Sequence, residues 1–220
     1  YVHIPFAAPG RTVFPIPDEM SYEDAASVEP FSISYFSVNR GQPKPDEVVA
    51  VIGLGVIGLY AVQILKAMGV KKVIAAGRRP SRLEAARLSG ADVIIDAAAQ
   101  NTVEAVMEAT DLMGVNTVVE CAGNQTAFDQ AVEIARGGGK ILLVGVYEDP
   151  LTWQPLPVIG KNLTLIGCLG GNFRAVIELF KEGKVNTKGM ITHRFSLDEA
   201  ATAFRTQLED PAAVKVMIKP

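Results

Sequence analysis

Three glycines set the strongest constraint on what this chain can fold into. In "VIGLGVIGLYAVQILKAMG", residues 51–69, Gly53, Gly55 and Gly58 form the pattern G-x-G-x-x-G directly after a β-branched run and directly before a helical apolar stripe. Each glycine has a mechanical reason in that setting. Gly53 permits a tight turn, Gly55 lets the backbone approach a bound group, and Gly58 allows close helix–strand packing. The N–H groups of Val56 and Ile57 then point outward from the positive end of the helix, where phosphate oxygens are favoured. Without its flanking strand and helix the hexapeptide would be an ordinary turn; between them it points to a pyrophosphate.

From residue 46 onward, short β-branched runs alternate with helical periodicity, the pattern of repeated βαβ units. The spacing predicts strands at 48–52, 72–76, 92–95, 116–120, 139–144 and 162–167, with helices at 56–68, 81–89, 101–109 and 124–135. The expected fold is α/β, a doubly wound six-stranded parallel sheet of the Rossmann type in the order 3-2-1-4-5-6, with its ligand crevice at the carboxyl ends of the strands. A further helix at 172–182 is ended by Gly183. Ser196 caps another with Glu199 three residues on, and "VKVMIK" closes the chain as a strand. At the start, Pro5, Pro9, Pro15 and Pro17 favour an extended connector, after which Asp18 and Ser21 open a helix carrying "YEDAASVEPF".

At 220 residues with 49% hydrophobic content, the chain can bury a sizeable core. Its net charge of −3 gives no electrostatic footprint for nucleic acid. The apolar run after the glycines is broken by Gln63 and Lys66, well short of the ~18 residues of a membrane span. Small molecules are the expected partners, with neither nucleic acid nor membrane. Cys121 and Cys168 are far apart, lack a C-x-x-C partner and sit in apolar runs, so they are read as free thiols of a cytoplasmic protein. His3 and His193 are isolated and read as structural. With no initiator Met and no leader, Tyr1 is expected to be an interior point of a longer protein.

The second strand decides which nucleotide fits. An NAD site normally carries Asp or Glu about 20 residues beyond the glycines, holding the adenosine ribose hydroxyls. Here the strand ends in Gly77-Arg78-Arg79. Losing the carboxylate removes repulsion against a 2′-phosphate, and a guanidinium offers it a bidentate, permanently charged clamp. NADP(H) is therefore the expected cofactor and NAD the alternative; a merely solvated basic turn is the other account of Arg78 and Arg79. Arg82 is a third candidate for the same phosphate, with a place on the helix surface the favoured account. The P-loop pattern is absent, no tyrosine has a lysine four residues later, and the second strand lacks the acid a methyltransferase would use.

Five blocks in order, "PIPDEMSYEDAASVEPFS", "VIGLGVIGLYAVQILKAMG", "GRRPSRLEAARLSGADVIID", "VVECAGNQTAFDQAVEIARGGGKILLVGV" and "ITHRFSLDEAATAF", make the chain resemble the medium-chain, zinc-dependent alcohol and polyol dehydrogenases. The glycine–arginine turn resembles the NADP-using branch. The resemblance implies hydride transfer between a secondary alcohol or polyol and NADP, with catalytic zinc held by an N-terminal domain that this sequence lacks. "YVHIPFAAPGRTVFPIP" resembles the end of that domain. The resemblance places residues 1–28 as its remnant and connector, 29–185 as the NADP-binding domain and 186–220 as a segment returning towards the catalytic domain.

Carried over by matching motif, Cys121, Ala122, Val144, Gly145, Val146, Cys168 and Leu169 would line the nicotinamide half, and Lys215 would stand near the pyrophosphate. Glu29 in "VEPFS" falls where the family places its third group at the zinc. One carboxyl cannot hold the metal, since a catalytic site takes three protein ligands. No catalytic residue is assigned to this chain, which alone is expected to bind cofactor without turnover. The family also implies a homodimer or homotetramer, with the sixth strands pairing edge to edge.

Overall fold

The structure, a computed structural model, describes residues 3–220; Tyr1 and Val2, where the reading of an interior start begins, lie outside the described residues. Its elements run α1 (Tyr22–Gly41), β1 (Val48–Ile52), α2 (Val56–Ala67), β2 (Lys72–Gly77), α3 (Pro80–Leu88), β3 (Val93–Asp96), α4 (Thr102–Ala109) and β4 (Val115–Glu120). Then follow α5 (Gln125–Ile134), β5 (Ala135–Leu143), α6 (Leu156–Gly160), β6 (Thr164–Gly167), α7 (Phe173–Lys181), β7 (Ile191–Ser196), α8 (Ala200–Glu209) and β8 (Lys215–Lys219). β1 to β6 form one parallel sheet in the order β3-β2-β1-β4-β5-β6, and β7 and β8 form a parallel pair.

The sheet order is the one expected, because strands buried on both faces must read as continuous β-branched runs, and these do. Val49, Val51, Val73, Ala75 and Val119 pack against α1 and α2 on one face. Ala50, Ile74, Val118 and Ile141 pack against α4 and α5 on the other. Among the described residues no helix is long and apolar enough to cross a membrane.

Three features differ from the expectation. Ser21 does cap α1, accepting from Asp24 N–H at 3.0 Å, but the helix runs through Pro30 to Gly41. Burial of Phe31 and Val38, with Phe31 stacked on Tyr60 at 3.6 Å between centroids, outweighs the donor that proline removes. β5 starts at Ala135, earlier than expected, with a register shift opposite Val115 and Thr117. Leu156–Gly160 form the short helix α6, which no periodicity over so few residues could announce. Ser196 and Glu199 form the expected capping box, over a 3-10 turn at Leu197–Glu199 that leads into α8.

Candidate dinucleotide site

The carboxyl ends of the strands are stitched to one another by main-chain hydrogen bonds just past the ladder. Ala97 N–H donates to Gly77 O, Gly53 N–H to Ala76 O, Cys121 N–H to Ile52 O and Cys168 N–H to Leu143 O, at 2.7 to 3.0 Å. The turns that border the crevice are therefore fixed to the sheet.

Gly53 adopts φ +93°, and a Cβ there would lie 2.6 Å from Ala122 N. A Cβ on Gly58 would lie 2.0 Å from Gly53 O, so only glycine permits this approach of α2 to the turn. Gly55 differs: its Cβ would meet nothing within 4 Å, and no side chain caps the α2 N-terminus that follows. The space beside Gly55 and the unpaired N–H groups of the first turn of α2 together make an open cradle suited to an anion.

Next to that cradle lies a crevice of about 500 Å³ lined by Gly53, Gly55, Gly77, Arg78, Arg79, Cys121 and Ala122, and also by Arg82, Thr102, Asn124, Thr126 and Gln130. Arg78 is exposed, whereas Arg79 and Arg82 are half-buried. Arg79 Nη1 and Arg82 Nε are buried with no hydrogen-bond partner among the described residues. Burial, and then the charge of Arg79, push the Arg82 guanidinium below its usual value. Two adjacent cations with unmatched donors form a site short of negative charge. Of the two accounts of Arg82, the favoured surface placement is corrected and the candidacy stands: Arg79 is the N-cap of α3 and Arg82 follows three residues later, which sets both side chains on one face of its first turn, and Arg82 lines the crevice.

The expected acid position is crowded by a neighbouring side chain. A Cβ on Gly77 would lie 2.8 Å from Leu54 Cδ1 and 2.9 Å from its Cγ, so Leu54 occupies the room a side chain there would need.

The remaining candidates fall outside this crevice. Val56, Ile57 and Gly58 form the first turn of α2. Val144, Gly145 and Val146 follow β5, and Cys168 and Leu169 follow β6. Both cysteines are free, and burial pushes both thiols up. Lys215 opens β8; burial lowers its ammonium, partly offset by the charge of Glu29. Glu29 is exposed on α1. Among the described residues no three His, Cys, Asp or Glu side chains converge to hold a metal ion, so the donors present do not fit zinc. Two residues that sequence reasoning missed stand out. Thr102 Oγ1 is buried in the crevice wall without a partner among the described residues, and Glu120 is fully buried at the end of β4. An acid closing an apolar strand was the available signal for the second.

Comparison with known proteins gives the setting. Residues 56–182 match the family model described as zinc-binding dehydrogenase. A sorbitol dehydrogenase of Bacillus subtilis is 35% identical over 212 residues, covering 94% of this chain and 60% of the relative. A putative zinc-binding dehydrogenase of Sinorhizobium meliloti bound to NADP superposes with a TM-score of 0.85 at 29% identity, over 94% of this chain and 62% of that one. An alcohol dehydrogenase of Escherichia coli CFT073 complexed with NADH gives 0.87 at 30%, over the same shares. The chain spans about 60% of the length of the curated relative.

Proposed function

Because this chain belongs to the zinc-binding dehydrogenase family, we propose that it is the NADP(H)-binding part of an alcohol or polyol dehydrogenase that moves hydride between a secondary alcohol or polyol and the nicotinamide. The observation that carries this reading is the pair of buried nitrogens on Arg79 and Arg82, without a partner among the described residues, beside a strand end that bears no carboxylate and is crowded by Leu54. In this arrangement the α2 N-terminus takes the pyrophosphate past Gly55. Arg79 and Arg82, with Arg78 at the rim, take the 2′-phosphate. The nicotinamide ring supplies the hydride chemistry when bound. The chain's own part is to hold that ring against the turns formed by residues 121–122, 144–146 and 168–169, with Lys215 near the pyrophosphate.

The relatives bear different cofactors, NADP in one and NADH in another, so kinship leaves the choice open and the arginine pair is what supports NADP. These residues do not hold the family's zinc by themselves, since Glu29 has no companion donors among them. Within the same reading, residues 1–28, 29–185 and 186–220 are the connector, the cofactor-binding domain and the returning segment. The protein is cytoplasmic, and Leu165 and Ile166 on the outer edge of β6 are covered by a second copy, which sedimentation tests.

The reading is tested by thermal unfolding. A ligand that binds only the folded state at about 100 times its Kd adds roughly 2.7 kcal/mol, so NADPH at millimolar concentration raises the unfolding midpoint. An unchanged midpoint contradicts the proposal.

A further inference from the structure

The turns after β4 and β5 meet backbone to backbone. A Cβ on Gly123 would lie 2.3 Å from Val146 O, and one on Gly145 would lie 2.3 Å from Gly123 N. Between them sits Glu120, with no exposed surface. Its Oε1 accepts the N–H groups of Ala122 at 2.7 Å and Gly123 at 2.9 Å. Its main-chain oxygen accepts those of Val144 and Gly145, both at 2.9 Å. Oε2 accepts the Tyr147 hydroxyl at 2.5 Å. One residue thus gathers five donors from two turns.

A buried carboxyl is costly unless its lone pairs are matched, so this set of bonds is a constraint on geometry as well as a contact. We propose that Glu120 and Tyr147 form a clamp that positions the nicotinamide-side turns, so that binding of the ring, but not of the adenosine end, depends on the Tyr147 hydroxyl. Both are positioning residues: they act through the backbone of residues 122–123 and 144–146. This inference rests on the cofactor reading above.

Selectivity follows from how the two ends are tied. On the adenosine side, Ala97 bonds to Gly77, and Arg79 and Arg82 stand on α3, none of them bonded to Glu120 or Tyr147; the two sides approach where Gly53 packs on the backbone of Ala122. On the other side, the exposed Val146 lies next to Tyr147, the residue whose hydroxyl reaches Glu120. Burial, then the bond to Glu120 and its charge, push the phenol up, so the hydroxyl remains a donor across the neutral range.

The test measures the dissociation constants of NADPH and of adenosine 2′,5′-bisphosphate, which lacks the nicotinamide, on the whole chain and two variants. Tyr147→Phe is expected to weaken NADPH about fivefold, the loss of one partly buried hydrogen bond, and to leave the bisphosphate within about twofold. Glu120→Gln keeps one oxygen for Ala122 and Gly123 and offers an N–H to the Tyr147 oxygen, so it retains NADPH affinity within about twofold. The fluorescence of bound NADPH reports the ring's surroundings and shifts in Tyr147→Phe alone. Equal losses for the two ligands in Tyr147→Phe, or no loss of NADPH, overturn the clamp. A wild-type chain that binds NADH and ADP instead overturns the cofactor choice. In that case the ratio of NADH to ADP affinity reads the clamp in the same way.

Discussion

Arg79 and Arg82 face the same crevice from the first turn of α3, each with a buried nitrogen that no described residue matches. The helix dipole adds positive potential at that point, so an anion there meets two guanidinium groups and a helix N-terminus together. Removing either arginine should therefore act on the phosphate and not on the fold. Arg79→Ala and Arg82→Ala are each expected to cost NADPH about 1.5–3 kcal/mol, a tenfold loss or more, while NADH changes little. Titration calorimetry with both nucleotides checks this; a parallel loss of NADPH and NADH would sink the 2′-phosphate assignment.

The two inner glycines separate fold from binding. Gly58→Ala places a Cβ 2.0 Å from Gly53 O, so α2 must shift, and destabilisation of about 1–3 kcal/mol is expected. Gly55→Ala points into open space at φ −70°, costs under about 1 kcal/mol as a poorer N-cap, and obstructs the pyrophosphate. Denaturant melts and NADPH titrations on both variants should show opposite patterns.

Asp92 tests the acid limb of stability. It accepts from Lys66 Nζ at 2.8 Å and from Val73 N–H at 2.7 Å. Burial raises its pKa, but those bonds outweigh burial and leave it lowered. A lowered folded-state value means the stabilisation is present above the unfolded value of about 4 and lost as pH falls through the folded one. Asp92→Ala is expected to cost about 1 kcal/mol at neutral pH, after allowance for a partly exposed pair, and the gap from wild type should close below about pH 4. Urea melts from pH 3 to 7 check it, and a gap that widens towards acid would contradict the sign.

Supplied with zinc, NADP and a polyol, the 220-residue chain is expected to show no turnover, since no three donors among the described residues converge on a metal. Following absorbance of the reduced cofactor decides this; turnover at ordinary enzymatic rates would mean that these residues supply a reacting centre of their own.

The sheet and its order were legible because a parallel strand buried on both faces leaves an uninterrupted apolar run, and "VVAVI" is such a run. The glycine turn was legible for a similar reason: Gly53 and Gly58 carry backbone requirements that other residues cannot meet. Arg82 was legible only as a third candidate, because helical periodicity over 81–89 does not distinguish an outward face from the face of a first turn that looks along the crevice. Its spacing of three from Arg79 was the usable signal. The length of α1 was hidden by Pro30, whose local cost is overridden by the contact of Phe31 with Tyr60, residues far apart in sequence. Tyr147 was invisible for the same reason, since its partner Glu120 lies 27 residues away.

The most direct measurement is the ratio of dissociation constants for NADPH and NADH on the unaltered chain. The arrangement of Arg79, Arg82 and a glycine at the acid position, Gly77, predicts tighter NADPH by tenfold or more, about 1.4 kcal/mol. Equal affinity, or preference for NADH, would contradict it.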